Sequence, residues 1–299
     1  MQFPLWRQHI AFSAGVTPYS AVGYNFSLSD SINSDYHYTH TYSGEGGFTQ
    51  VYGGLSFNIC DWVALGVNAY YMFGDMTKMR TQTFAETSAK GASQKDYLSI
   101  SSLRLRYGMQ FFHTFGKHTV VLGGVFENKQ RFSNSHHEQI ETTTNDTVST
   151  MDNAFELPMM YGAGVSYNYA DRLTVALDYQ CQDWTKTAYF DKQDVLRARQ
   201  RWALGMEYRH DPLGRGYIDR VCWRLGANYS NSYAMTSDIP EFGLSLGFGL
   251  PLRTVATIIN LTVEYAHRGA LKQEALSENS LRLVISAAIS ENWFFKRKL

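Results

Sequence analysis

Between Asp61 and Phe73 every second residue is apolar: Val63, Leu65, Val67, Ala69, Tyr71 and Phe73 share one parity, and Ala64, Gly66, Asn68 and Tyr70 share the other. A period of two belongs to a strand with two unlike faces. The pattern recurs in segments of about ten residues: 10–16, 22–27, 51–59, 103–111, 120–126, 161–169, 173–179, 202–208, 221–229, 242–250, 259–265 and 281–289. Thirteen such strands predict an all-β chain.

Charge decides which solvent the apolar parity meets. Arg104, Arg106, Asp178, Arg199, Arg201, Glu207, Arg209, Arg224, Glu264 and Arg282 all fall on the other parity. An arginine facing lipid at mid-membrane costs about 2–4 kcal/mol, which explains the segregation. A soluble sandwich also alternates, but its wet face carries Lys and Glu in quantity. Here that face is rich in Gly, Ser, Asn and Thr. The charged fraction is 18 %, against about 25 % in ordinary soluble chains. Mean hydropathy is −0.30, and no run is long enough for a membrane helix. With 27 basic and 27 acidic residues, no global charge favours nucleic acid. Aromatic residues cluster at strand ends, as in the interfacial girdles of membrane barrels. The expected fold is a single domain, 1–299: a transmembrane antiparallel up-and-down β-barrel of the outer membrane of a Gram-negative-type bacterium.

Loop lengths predict the topology. Short connections are expected near Thr17–Ala21, Cys60–Asp61, Phe115–His118, Ala170–Arg172, Asp211–Asp219 and Pro251–Ala256. Longer polar ones are expected near Leu28–Gly44, Asp75–Asp96, Lys129–Asn153, Thr185–Leu196, Asn231–Pro240 and Arg268–Glu278. The two classes alternate, so short is assigned to the periplasm and long to the outside. Thirteen strands would leave the first beginning outside the cell. The expectation is a fourteen-stranded barrel whose signal peptide and first strand precede the residues given.

Local residues carry a resemblance. Ala176-Leu177-Asp178-Tyr179-Gln180 followed by Asp183-Trp184-Thr185-Lys186 resembles the end of a mid-barrel strand in the FadL-type outer-membrane transporters of long-chain fatty acids and other hydrophobic compounds. Arg201 to Arg209, Leu225 to Ser230, Gly243 to Gly249 and Asn260 to Tyr265 resemble the strands that follow, in order. The ending Asn292 to Leu299 is similar to the tail of such proteins from Bacteroidetes. The resemblance covers Ala154 to Leu299 best. It implies passive uptake of a hydrophobic small molecule, with outer-membrane lipid as surroundings. The family's N-terminal hatch, with its Asn-Pro-Ala-type motif, is absent. The family's laterally opening third strand would correspond to Val22 to Ser27, with Gly23 as the bend.

Candidate ligand-path residues are Arg104, Arg106, Arg199, Arg201, Asp178, Asp183 and Trp184. The arginines read either as a basic wall for an anion or as partners of Asp178, Glu207 and Glu264 that keep a polar lumen satisfied. Met76, Met79 and Phe84 read as a greasy outer groove or as loop packing. Cys60, Cys181 and Cys222 are widely spaced and form no metal or disulfide pattern. His136-His137-Glu138, His37 and His40 are placed in solvated loops. No Gly-x-Ser-x-Gly or His-Glu-x-x-His motif occurs, so neither cofactor, metal nor enzymatic chemistry is expected. The alternative is a non-conducting assembly barrel that holds a surface or secretion partner protein; an outer-membrane enzyme ranks below it.

Overall fold

The computed structural model describes residues 2–6, 9–33, 36–85, 91–131, 133–142, 146–152, 156–187, 196–211, 214–232, 239–252, 257–269 and 277–289. The C-terminal resemblance at 292–299 lies outside them. The chain forms β1 (Gln2–Trp6), β2 (Ile10–Asn33), β3 (Tyr36–Cys60), β4 (Val63–Phe84), β5 (Ala92–Phe115), β6 (His118–Glu127), β7 (Gln130–Arg131), β8 (Ser133–Thr142), β9 (Asp146–Asp152), β10 (Glu156–Leu157), β11 (Met159–Tyr169), β12 (Leu173–Asp183), β13 (Arg199–Arg209), β14 (Cys222–Ser230), β15 (Glu241–Pro251), β16 (Thr257–Arg268) and β17 (Glu278–Ile289). Fifteen strands share one antiparallel sheet, ordered β1-β2-β3-β4-β5-β6-β11-β12-β13-β14-β15-β16-β17, with β8 and β9 appended to β5. Apart from the β7 to β10 insertion between β6 and β11, each strand pairs with its neighbour in the chain, which is the up-and-down barrel order.

The faces follow the alternation. Leu103 (57 % exposed), Leu204 (51 %), Leu225 (50 %) and Leu244 (52 %) all point outward, among many other large apolar residues. Soluble monomers rarely expose apolar patches beyond a few hundred Å²; a continuous greasy belt around the wall is a lipid-facing surface.

Strand lengths divide the barrel. β11 to β17 run 9 to 12 residues, about one bilayer crossing. By contrast β2, β3, β4 and β5 run 24, 25, 22 and 24 residues. Their outer faces change character at one level: Val51, Tyr71 and Leu103 lie in register, and beyond them come Thr49, Phe73 and Ser101, then Gly47, Asp75 and Ser99. Above that line the strands form a wing, joined by β8 and β9, that stands on the order of 40 Å clear of the greasy belt.

Three expectations are corrected. Residues 28–33, 36–44, 75–84 and 92–96 and much of the described part of 129–153 are in strands, most of them in this wing, not loops. No turn occurs at Thr17–Ala21, because 10–16 and 22–27 belong to one strand, β2. The thirteenth strand of the order is instead β1, too short to show a period. Finally, the pairing of β2 with β3 slips at Tyr19, between Pro18↔Thr49 and Ser20↔Phe48. This bulge reverses the strand's faces. Val16 therefore faces outward, whereas Val22, Tyr24 and Phe26 share the inner face with Gly46, Gly44 and Tyr42.

Both end strands, β1 and β17, run from the wing end toward the short-turn end. Among the described residues they are not paired with each other. On β17, Leu281 is 77 % exposed, well above Leu244 on the interior strand β15.

Candidate functional site

Even residues of β3, β4 and β5 point into the lumen, and three layers stack along them. At the wing end lies an apolar cluster: Phe48, Met72, Leu98, Ile100 and Leu157 are buried, with Met76 and Trp184 packed against them. Leu157 arrives from the segment between β6 and β11, where β10 pairs with β7 to make a small two-stranded ribbon. Glu156, 5 % exposed, holds the ribbon through Lys129 Nζ at 2.7 Å and Arg131 Nη2 at 3.1 Å. Gln130 Nε2 donates to Ser102 Oγ on the wall at 2.9 Å. The ribbon is thus a strap held on the lumen side of β5, and it seats its leucine in the apolar layer.

One step deeper, Glu127 is 1 % exposed and receives the guanidinium groups of both Arg104 and Arg106. Arg106 also donates to Tyr70 Oη at 3.2 Å and lies 4.8 Å over its ring. Burying one carboxylate is tolerable only because two cations meet it.

Below this cluster opens a cavity of about 660 Å³. The register sets its inner wall in two rows: Gly66, Gly108, Val125, Gly162 and Gln180, then Ala64, Gln110, Gly123, Gly164 and Asp178. Small residues dominate, and Arg106 and Met160 form the rim. The facing wall is polar: Arg224 and Arg209 meet Glu207 at 2.7 and 3.3 Å, and Arg282 meets Glu264 at 3.4 Å.

The sequence-predicted residues separate accordingly. Arg106 lines the cavity's upper edge, Arg104 meets it on Glu127 one layer up, and Asp178 lines the cavity. Arg199 and Arg201 face the lumen opposite Gln182 and Gln180 and have no ion-pair partner among the described residues. Trp184 belongs to the apolar layer, its Nε1 donating to Gln182 at 3.2 Å. Asp183 does not line the path: it shares the outward parity of Tyr179 and Cys181 and pairs with Lys186 at 3.5 Å. Gly23 lies in the wing opposite Glu45, past the greasy belt, where a bend opens to no lipid; the irregularity sits at Tyr19. Met76 joins the apolar layer, while Met79 faces outward opposite Lys95. His40 and His137 are in strands, and among the described residues no three metal-ligating side chains converge.

Two acids, Glu127 and Glu156, were not singled out in the sequence. Glu127 ends an alternating segment and Glu156 falls in a polar stretch, so neither carries a local signature of burial.

The family model described as BamG matches residues 1–299. Three solved structures share the fold. The "CymD monoaromatic hydrocarbon channel" has a TM-score of 0.56 at 15% identity, covering 95% of this chain and 87% of that one. The P. putida toluene transporter TodX has 0.56 at 10%, covering 95% and 89%. A Pseudomonas aeruginosa FadL homologue has 0.54 at 13%, covering 87% and 74%. No curated protein matches.

Proposed function

The chain belongs to the BamG family, and we propose that its barrel lets small hydrophobic compounds pass passively through the outer membrane. The single observation that carries this is the cavity of about 660 Å³ lying below an apolar mouth, with the Glu127, Arg104 and Arg106 cluster between them. An apolar solute gains free energy by leaving water for the apolar layer and needs no coupled energy source. The strap's Leu157 occupies the layer such a solute would cross, so the strap is the gate. Solved relatives in fold are described as a monoaromatic hydrocarbon channel and a toluene transporter, which supports the solute class; long-chain fatty acids remain one member of it. Short turns face the periplasm and the wing faces outward in this reading. Because β1 and β17 run in the same direction, an antiparallel closure calls for a fourteenth strand running the other way between them.

A second reading is favoured by the wing. Transport requires only a crossing, yet six strands extend beyond it. Such a surface suits a barrel that holds a partner protein at the cell surface. One experiment weighs both. The chain is purified from its own membrane and reconstituted into liposomes, and uptake of a labelled hydrocarbon is compared with empty liposomes. Uptake above that baseline supports passage. Uptake at the baseline, together with a stoichiometric co-purifying protein, transfers the function to the scaffold.

A further inference from the structure

The glycines of the cavity wall need a reason. Glycine weakens a strand, since it brings no side chain to pack. Gly66, Gly108 and Gly123 have none of the positive backbone angles that excuse it. Nor does crowding excuse it. A Cβ built on Gly123 would meet nothing within 4 Å, one on Gly108 would meet a single carbonyl oxygen at 3.9 Å, and one on Gly66 nothing nearer than 3.6 Å. The fold has room for side chains at all three and lacks them. They lie on β4, β5 and β6, in two adjacent rows of the same inner wall. Gly66 and Gly108 leave a floor of bare backbone side by side on β4 and β5, and Gly123 continues it diagonally onto β6, with Val125 and Gln110 at its margins.

The floor has a polar edge. Asp178 leans over Gly164, its Oδ1 occupying the place where a Cβ would stand, and Gly164 is the register partner of Gly123. Asp178 makes no ion pair or hydrogen bond among the described residues. A carboxylate accepts and does not donate, so it favours a ligand bearing a hydroxyl. A flat backbone surface gives its largest contact to a flat rigid ring system, which also loses no internal rotations on binding; a flexible chain gains less and loses more.

We propose that this cavity binds a planar ring compound carrying a hydroxyl group, its ring on the floor of Gly66, Gly108 and Gly123 and its hydroxyl donating to Asp178. The proposal rests on the passage reading for its biological sense, but binding and passage are measured separately.

The probes are 1-hydroxypyrene, pyrene and the flexible cis-parinaric acid, titrated by fluorescence against the full chain in nanodiscs. 1-Hydroxypyrene is expected to bind more tightly than either of the others. Gly123→Leu, which fills the floor, is expected to weaken it about tenfold or more. Asp178→Ala is expected to reduce it to the affinity of pyrene while leaving pyrene unchanged. Gly205→Leu, whose Cβ also meets open space but which lies outside the cavity lining, controls for insertion of bulk into the lumen. Equal binding of the chain probe with equal loss in Gly123→Leu overturns the shape argument. An unchanged 1-hydroxypyrene affinity in Gly123→Leu or Asp178→Ala overturns the site. Retained probe binding with no liposome uptake leaves the site standing and removes passage alone.

Discussion

Leu204 is the sixth of eleven residues in β13, the midpoint of a one-crossing strand, and points outward between Leu177 and Ala227. If that face meets hydrocarbon, Leu204→Arg places a cation at the midplane and costs about 2–4 kcal/mol. At about 1.4 kcal/mol per factor of ten, folding equilibrium falls roughly 30- to 700-fold. Little of this comes from lost packing, because the side chain is 51 % exposed. The adjacent Ala203 faces the lumen with Asp178 directly opposite. Ala203→Arg therefore gains a cross-strand ion pair, worth about 0.2–1 kcal/mol, and is expected to stay within about 1 kcal/mol of the parent. Urea unfolding in phospholipid vesicles, followed by tryptophan fluorescence, measures both. Equal stability of the two variants would refute the lipid assignment, since a wet outer face accepts an arginine as readily as the lumen does.

Glu127→Gln strips two arginines of their shared counter-charge, one of them Arg104 with a side chain only 9% exposed; a loss of about 3–5 kcal/mol is expected in the same unfolding assay, and parent-like stability would mean water reaches the cluster. Tyr97, on the wing beyond the crossing segment, donates to Asp75 at 2.9 Å, and this bond to a carboxylate raises its pKa above the ordinary tyrosine value. The bond's contribution is therefore full below that ordinary value and is lost as pH rises through the raised one. Difference absorbance of Asp75→Asn against the parent should show one phenol titrating at lower pH; superimposable curves would refute the pairing.

The barrel was legible because its crossing strands set large apolar residues against small or polar ones at every step, as in Leu173, Val175 and Leu177 against Thr174, Ala176 and Asp178. The wing was not, because that contrast disappears where both faces meet water. Around Ser27 and Ser29, which pair by hydroxyls with Thr41 and Thr39 at 3.0 and 3.1 Å, alternation carries no sign of burial and reads as loop. The reversed side of Val22 to Phe26 was hidden for another reason: a bulge is a local pairing event, and Pro18 is its only trace in the chain. At the site, parity put Arg104, Arg106 and Asp178 on the lumen face, where the register has them. Asp183 entered as a candidate through the family resemblance, whereas parity counts it with Tyr179 on the outer face. The glycine floor is a relation among three strands, visible only once their register is known.

The single extra residue at Tyr19 lets one ribbon work in two media. Below it, odd-numbered positions of β2 look inward; above it, even-numbered ones do. Such a half-step is a removable residue of the strand: loss of Tyr19 would leave Pro18↔Thr49 and Ser20↔Phe48 paired as they stand, with Val22, Tyr24 and Phe26 still inward, whereas loss of a regularly paired residue with the bulge kept would turn everything beyond it to the other side. Elsewhere in the paired stretches of this ribbon insertions and deletions are silent only in matched pairs, which makes position 19 a place where a single residue can be lost without changing either face.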